Sequence, residues 1–228
     1  MVGWRPVRAD VATFVAMTTL DRPESDDELE PRAIAAERLT FFADAVIAIA
    51  VTLLALDLPV PSGNTNGEML RSALDHRDGY LAFCISFLVI ASHWRGHHRV
   101  FRYVTHLDSR LTRLTLGWLF TLVVTPFATR VITGNGAFQV RFGFYSVVQI
   151  AALVLFALMS RDIERRHLTR PGTPATIHSH TFLRTAGLTC GFLLSIPLSF
   201  VTSYSYVCWI VAPLLATIIR RVQDRRAA

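Results

Sequence analysis

Six consecutive residues, His93-Trp94-Arg95-Gly96-His97-His98, gather three potential metal ligands within two turns of chain. On a helix, His93 and His97 fall four apart on one face with His98 beside them, a spacing competent for a metal ion. The run also looks like one histidine box of a membrane di-iron desaturase or hydroxylase, a metal-dependent chemistry that needs several such boxes. His76, His106, His167, His178 and His180 do not form a second one. Glycine-rich phosphate loops are absent from the sequence, and no serine or cysteine is paired with a plausible base and acid. The residues therefore assign no catalytic group, no metal ligand set and no cofactor.

A second chemistry-bearing position is Asp44, set inside the apolar run that begins at Arg38-Leu39-Thr40-Phe41-Phe42 and continues to Asp57. An ionisable side chain in lipid is expensive and faces protein or water. A buried carboxylate also needs a donor, and His97 or His98 from the next apolar segment is the expected one. At about 100° per residue, Ile49, Thr52 and Leu56 project within a narrow arc, and Asp44 projects roughly 140° from Ile49. Arg38 returns near the stripe at its N-terminal end. The helix thus carries a face able to line something and a separate face that anchors it, although ordinary helix packing explains the same spacing.

These residues must be positioned by membrane helices. In 228 residues the hydrophobic share is 52%, high for a soluble domain of this size. The net charge is +6, yet the basic residues sit between apolar segments rather than along one face, which argues against nucleic acid as a partner. All 23 basic residues are arginine. Cys84, Cys190 and Cys208 each lie in an apolar stretch and form no disulfide framework.

Six apolar segments are expected, at about 41–60, 79–94, 114–132, 142–159, 182–200 and 204–219. The second continues past the membrane to about Phe101, and the last two form an antiparallel hairpin. Pro61-Ser62-Gly63-Asn64-Thr65-Asn66-Gly67 breaks the chain after the first. Arginines crowd the connections after segments 2, 4 and 6, so the positive-inside rule puts these, and both termini, in the cytoplasm. Residues 1–36 and 222–228 then read as cytoplasmic tails around a membrane domain at 37–221. The fold class is an all-α multi-pass protein of the cell membrane. Asp108, Asp162 and Glu164 read as solvated loop carboxylates.

Arg38-Leu39-Thr40-Phe41-Phe42-Ala43-Asp44 resembles the Arg-x-x-x-Phe-Ser-Asp signature of the transmembrane protein 175 family, whose members are potassium channels of prokaryotes and endolysosomes. Ala45–Leu56 is similar to that family's pore helix. Trp94-x-x-His97-His98 and Pro126-Phe127 agree with it, whereas Ala43 stands where the family has serine. The resemblance implies a homotetramer with the first helix of each copy lining a central pore. It implies permeant potassium ions, no cofactor, Ile49 as the narrowest ring, and Thr52 and Leu56 as further rings. Arg38, Phe42, Ala43, Asp44, Trp94, His97 and His98 would brace the pore helix. A metal-dependent membrane enzyme and a non-conducting scaffold are the competing readings.

Overall fold

The structure, a computed structural model, describes residues 26–170, 172–173, 176–202, 205–209 and 211. Its elements are α1 (Asp26–Leu56), α2 (Asn66–Asp75), α3 (Arg77–Phe101), α4 (Ser109–Thr133), α5 (Phe138–Arg165) and α6 (Thr176–Leu198). Among the described residues, Ile34–Leu56, α4 and α5 are each long and apolar enough to cross a membrane. The expected segments 1 to 5 fall on α1, α3, α4, α5 and α6. The sixth lies mostly outside the described residues, and α1 begins at Asp26, ahead of Glu37.

Each helix forms for local reasons and then buries one side. α4 starts where the Asp108 carboxylate accepts the Leu111 backbone N–H at 2.8 Å, an N-cap bond that satisfies one of the orphan donors. It ends at Gly134, before the Gly134-Asn135-Gly136 turn. Its inward face carries Thr115, Thr121, Thr125 and Thr129, whose hydroxyls donate back to carbonyls three or four residues earlier. Polar side chains are thereby satisfied in an apolar interior, and three of them reach neighbouring helices, Thr115 through the Met159 sulfur of α5 at 3.4 Å. Thr129 donates to Ser86 of α3 at 2.7 Å, Ser86 meets the Tyr145 hydroxyl of α5 at 3.1 Å, and Gln149 of α5 donates to Thr125.

Two apolar clusters hold the bundle. The first joins α1, α3, α4 and α5 around the fully enclosed Trp118. The second joins α4, α5 and α6 around Trp209, which stacks on Phe142 and Tyr145 and donates its indole N–H to Ser195 at 2.8 Å. Trp209 follows α6, and this contact turns the chain back onto α6, while most of the expected second arm of the hairpin lies outside the described residues. α1 contributes only to the first cluster.

The two ends of the bundle differ. At one end the connections after α3 and α5 lie side by side. Thr105 N–H donates to the Leu168 carbonyl at 3.0 Å, and Arg170 N–H to the Tyr103 carbonyl at 3.0 Å. Both connections are arginine-rich, so the structure brings together two of the charge clusters that the sequence separates. At the other end stands α2, which begins within the Pro61–Gly67 break and was not among the expected segments. Its signal was present as Thr65-Asn66-Gly67-Glu68, a capping box in which the Thr65 hydroxyl takes the Glu68 N–H and the Glu68 carboxylate takes the Thr65 N–H.

Candidate functional site

The site is built from α1 upward. Ala43, Ile47, Ala50 and Leu54 recur at helical spacing and are almost completely buried against the rest of the chain. They project about 100–160° from Ile49. The opposite face is apolar as well, yet uncovered: Ile49 is 58% exposed and Leu56 77%. Thr52 lies exposed between them, its hydroxyl donating to the Ile49 carbonyl at 2.8 Å. One donor is thus spent inside the helix while the oxygen keeps acceptor capacity. Ile49, Thr52 and Leu56 therefore share a face turned away from the protomer. Phe42 and Leu53 share it too, and the sequence reading did not place Leu53 there. Its position, four residues after Ile49, carried the signal.

The anchoring face carries the motif carboxylate. Asp44 accepts a 2.9 Å hydrogen bond from the indole N–H of Trp94, which ties α1 to α3. The expected donor was His97 or His98, and the structure corrects this. Trp94 lies on the side of α3 that meets α1. The His97 ring lies further round the helix, fully buried between Phe101 and Trp118 at ring separations of 3.9 and 4.9 Å. His98 is exposed and lies over the Trp94 ring at 5.8 Å. Ala43, in the serine position of the motif, is wholly enclosed. Arg38 and Phe42 are exposed, so the protomer does not bring them to the Asp44–Trp94 bond.

The three histidines of the 93–98 run have separate jobs. His93 accepts the Trp118 indole N–H at Nδ1 at 3.3 Å, while His97 and His98 are stacked in two different environments. Among the described residues no three His, Cys, Asp or Glu side chains converge as a metal site. The run is a packing motif that fixes α3 against α1 and α4, and the metal-enzyme reading loses its ligand set.

A second correction concerns the carboxylates of the arginine-rich end. Asp162, on α5, is buried and ion-paired with Arg110 at 3.1 Å and Arg166 at 3.6 Å. Asp108 caps α4 and is paired with Arg166. Burial pushes the Asp108 carboxyl up, but the Leu111 N–H and the Arg166 guanidinium outweigh it and hold the group below its ordinary range. The Asp162–Arg166 pair is four apart on one helix and readable from spacing, whereas Arg110–Asp162 and Arg166–Asp108 join the start of α4 to the end of α5 and are not. At the other end, Asp57, just beyond Leu56, is paired with Arg130 of α4 at 3.3 Å.

An all-helical protein with apolar membrane-length helices, a polar interior ladder and one helix whose apolar outer face is left uncovered belongs to the class of multi-pass membrane proteins that meet further copies or lipid through that face. Comparison with known proteins narrows the class. The family model described as endosomal/lysosomal potassium channel TMEM175 matches residues 38–126. A potassium channel of Streptomyces collinus is 33% identical over 73% of this chain and 83% of its own length. A potassium channel of a Chryseobacterium species is 28% identical over 62% of this chain and 72% of its own. The crystal structure of a TMEM175 homologue from Chamaesiphon minutus, described as a lysosomal potassium-selective channel, shares the fold with a TM-score of 0.64. That likeness covers 81% of this chain and 95% of the other at 24% identity. The chain belongs to the TMEM175 family.

Proposed function

We propose that the protein is a potassium-permeable cation channel of the cell membrane, assembled from four copies with α1 of each lining the central axis. Each copy crosses the membrane six times with both termini in the cytoplasm. Ile49 forms the narrowest ring, and Thr52 and Leu56 form further rings toward the outer side. The carrying observation is the division of α1 into a buried face of Ala43, Ile47, Ala50 and Leu54 and an uncovered apolar face of Ile49 and Leu56. That division, in a chain of this family, is what a pore helix needs. The first face fixes it to its own bundle, and the second is free to meet its counterparts around an axis.

A hydrophobic constriction gates by dewetting, and a ring that admits only a partly stripped ion favours the ion that loses water most cheaply. Potassium holds its hydration shell more loosely than sodium. The Thr52 oxygen supplies the polar layer at which a partly dehydrated ion regains a ligand. Asp44 and Trp94 act as scaffold that sets the rotation of α1, with Ala43 seated in the contact beneath.

The test is potassium flux into liposomes holding the purified full chain, against a sodium gradient, for the parent and Ile49→Asn. The expected result is potassium-favouring flux that the variant makes larger and less selective. Equal flux and selectivity in the two would remove Ile49 from the constriction. Folded, oligomeric protein that passes no ions would overturn the channel.

A further inference from the structure

The segment between α1 and α3 is built with more care than a passive connection requires. Gly63 has φ +155°, and a Cβ there would meet the Glu68 Cβ at 2.6 Å and the Met69 nitrogen at 2.7 Å, so the turn closes directly on the start of α2. Asn64 N–H donates to the Glu68 carboxylate at 2.7 Å and Ser62 N–H to the Ser72 hydroxyl at 3.1 Å. The polar side of α2 is thereby held by its own preceding loop. The base is closed too, since the Tyr80 hydroxyl of α3 donates to the Pro59 carbonyl at 2.8 Å.

What remains is an apolar side with nothing on it. Met69, Leu70, Ala73 and Leu74 fall within about 140° of arc, shared only by Asn66 in the first turn, and Gly67, Glu68, Arg71, Ser72 and Asp75 occupy the rest. Leu70 is 63% exposed and Leu74 60%, and no residue of α2 is buried. Val60, on the way to the helix, is more exposed still.

We propose that α2 is an interfacial helix that lies on the bilayer with Met69, Leu70 and Leu74 dipped among the lipid headgroups and upper acyl chains. Three observations choose lipid as the occupant. α2 is tethered between the end of the membrane-length run Ile34–Leu56 and the start of α3, with Tyr80 closing the base, so its root sits at the depth where that run leaves the hydrocarbon. None of its ten residues is buried against the protomer, so its apolar side is not taken up by the bundle. Its division into an apolar and a polar side is the pattern of helices that lie in the membrane plane. Glu68 and Asp75 face a single Arg71 on the helix, so apolar burial rather than attraction to acidic lipid is the driving term. The proposal needs only that α1 and α3 cross the membrane, and it stands or falls independently of ion conduction.

The experiment replaces Cys84, Cys190 and Cys208 with serine, then introduces one cysteine at a time from Asn66 to Asp75 for nitroxide labelling. The full chain is reconstituted in phosphatidylcholine vesicles, and collision rates with oxygen and with an aqueous nickel chelate are measured by electron paramagnetic resonance. The expected result is a helical oscillation in which the oxygen-to-nickel ratio at 69, 70, 73 and 74 exceeds that at 68, 71 and 75 several-fold. High nickel access at every position would overturn the proposal by placing the helix in water. Low access to both reagents at 69, 70 and 74, with spin–spin broadening in fully labelled protein, would overturn it in favour of contact between copies. Labels at the exposed Arg71 and Asp75, outside the capping box, serve as the internal controls for folding.

Discussion

α1 and α5 are nearly matched in apolarity, yet 28% of the most apolar stretch of α1 is buried within the protomer against 50% of that of α5. The difference separates two uses of the same residue types. α5 sits between α4 and α6 and spends its side chains on the core, with Phe142, Tyr145, Ala152, Phe156 and Met159 enclosed. α1 spends only a narrow stripe of small and branched residues on the core and leaves Ile49, Leu53 and Leu56 uncovered. A membrane helix that leaves its apolar side uncovered within its own chain has that side free for lipid or for a further copy.

Truncation should therefore separate the two helices sharply. Phe156 packs against Trp118 and against Gly96, where a Cβ would come within 3.2 Å of the Phe156 ring. Phe156→Ala should cost about 3–5 kcal/mol, read as a fall in the thermal unfolding midpoint of the detergent-purified protein. Leu56→Ala should cost within about 0.5 kcal/mol in the same measurement while changing ion flux. A large loss of stability from Leu56→Ala, with flux unchanged, would erase the contrast between the helices.

The next effect in size concerns the tie between α1 and its bundle. Trp94→Phe keeps the ring over His98 but removes the donor to Asp44. A lost hydrogen bond to a charged acceptor costs about 1.5–3 kcal/mol, and partial exposure of the pair places this one at the lower end. Selectivity should fall with it, because the rotation of α1 about its own axis loses a restraint. Unaltered selectivity in a destabilised Trp94→Phe would show that Asp44 serves folding alone.

Much of this arrangement was legible in the chain, and what was not has identifiable physical causes. Apolar length and arginine placement located α1 and α3 to α6, because lipid allows few alternatives to a helix of that length. Helical geometry put Ile49, Thr52 and Leu56 on one face and Asp44 on another, which the coordinates reproduce. The partner of Asp44 is not legible in the sequence, since Trp94, His97 and His98 all carry donors within one turn of α3. The donor was fixed by which side of α3 meets α1, a tertiary fact. The pairs Asp108–Arg166 and Asp162–Arg110 are hidden from the sequence for the same reason, since each joins the start of α4 to the end of α5, although the i,i+4 spacing of Asp162 and Arg166 is readable. α2 escaped although its capping box was in plain view, since the glycine-rich approach suggested a loop. Gly63 is needed to close the turn onto that helix.

At the arginine-rich end the effect should depend on pH. The Asp108 carboxyl is held below its ordinary range, so the folded state favours the charged form. The contribution is fully present above the unfolded value of about 3.9 and is lost as pH falls through the lower folded value. Thermal midpoints of the parent protein and Asp108→Asn should therefore differ at neutral pH and converge below about pH 4. A gap that persists undiminished in acid would show that Asp108 acts through shape rather than charge. No such convergence is expected for Phe156→Ala, which ties the acid effect to the connections and not to the core.

The smallest effect on stability is expected at the other end, where it sharpens the contrast most. Arg130 is largely exposed and its pairing with Asp57 should contribute only about 0.2–1 kcal/mol. Asp57, however, follows Leu56 at the end of α1, where its pairing with Arg130 of α4 offsets its charge. Arg130→Gln removes the offset. Around an axis of copies the uncompensated carboxylates should concentrate cations at the mouth, raising potassium flux at low ionic strength and leaving it unchanged at high salt, where the Debye length shrinks to a few ångström. Arg130→Gln/Asp57→Asn should return flux to the parent level. If the single variant raised flux equally at all salt concentrations, the pair would be acting on the shape of the helix end. The outer end of α1 would then be a structural joint like those of α5.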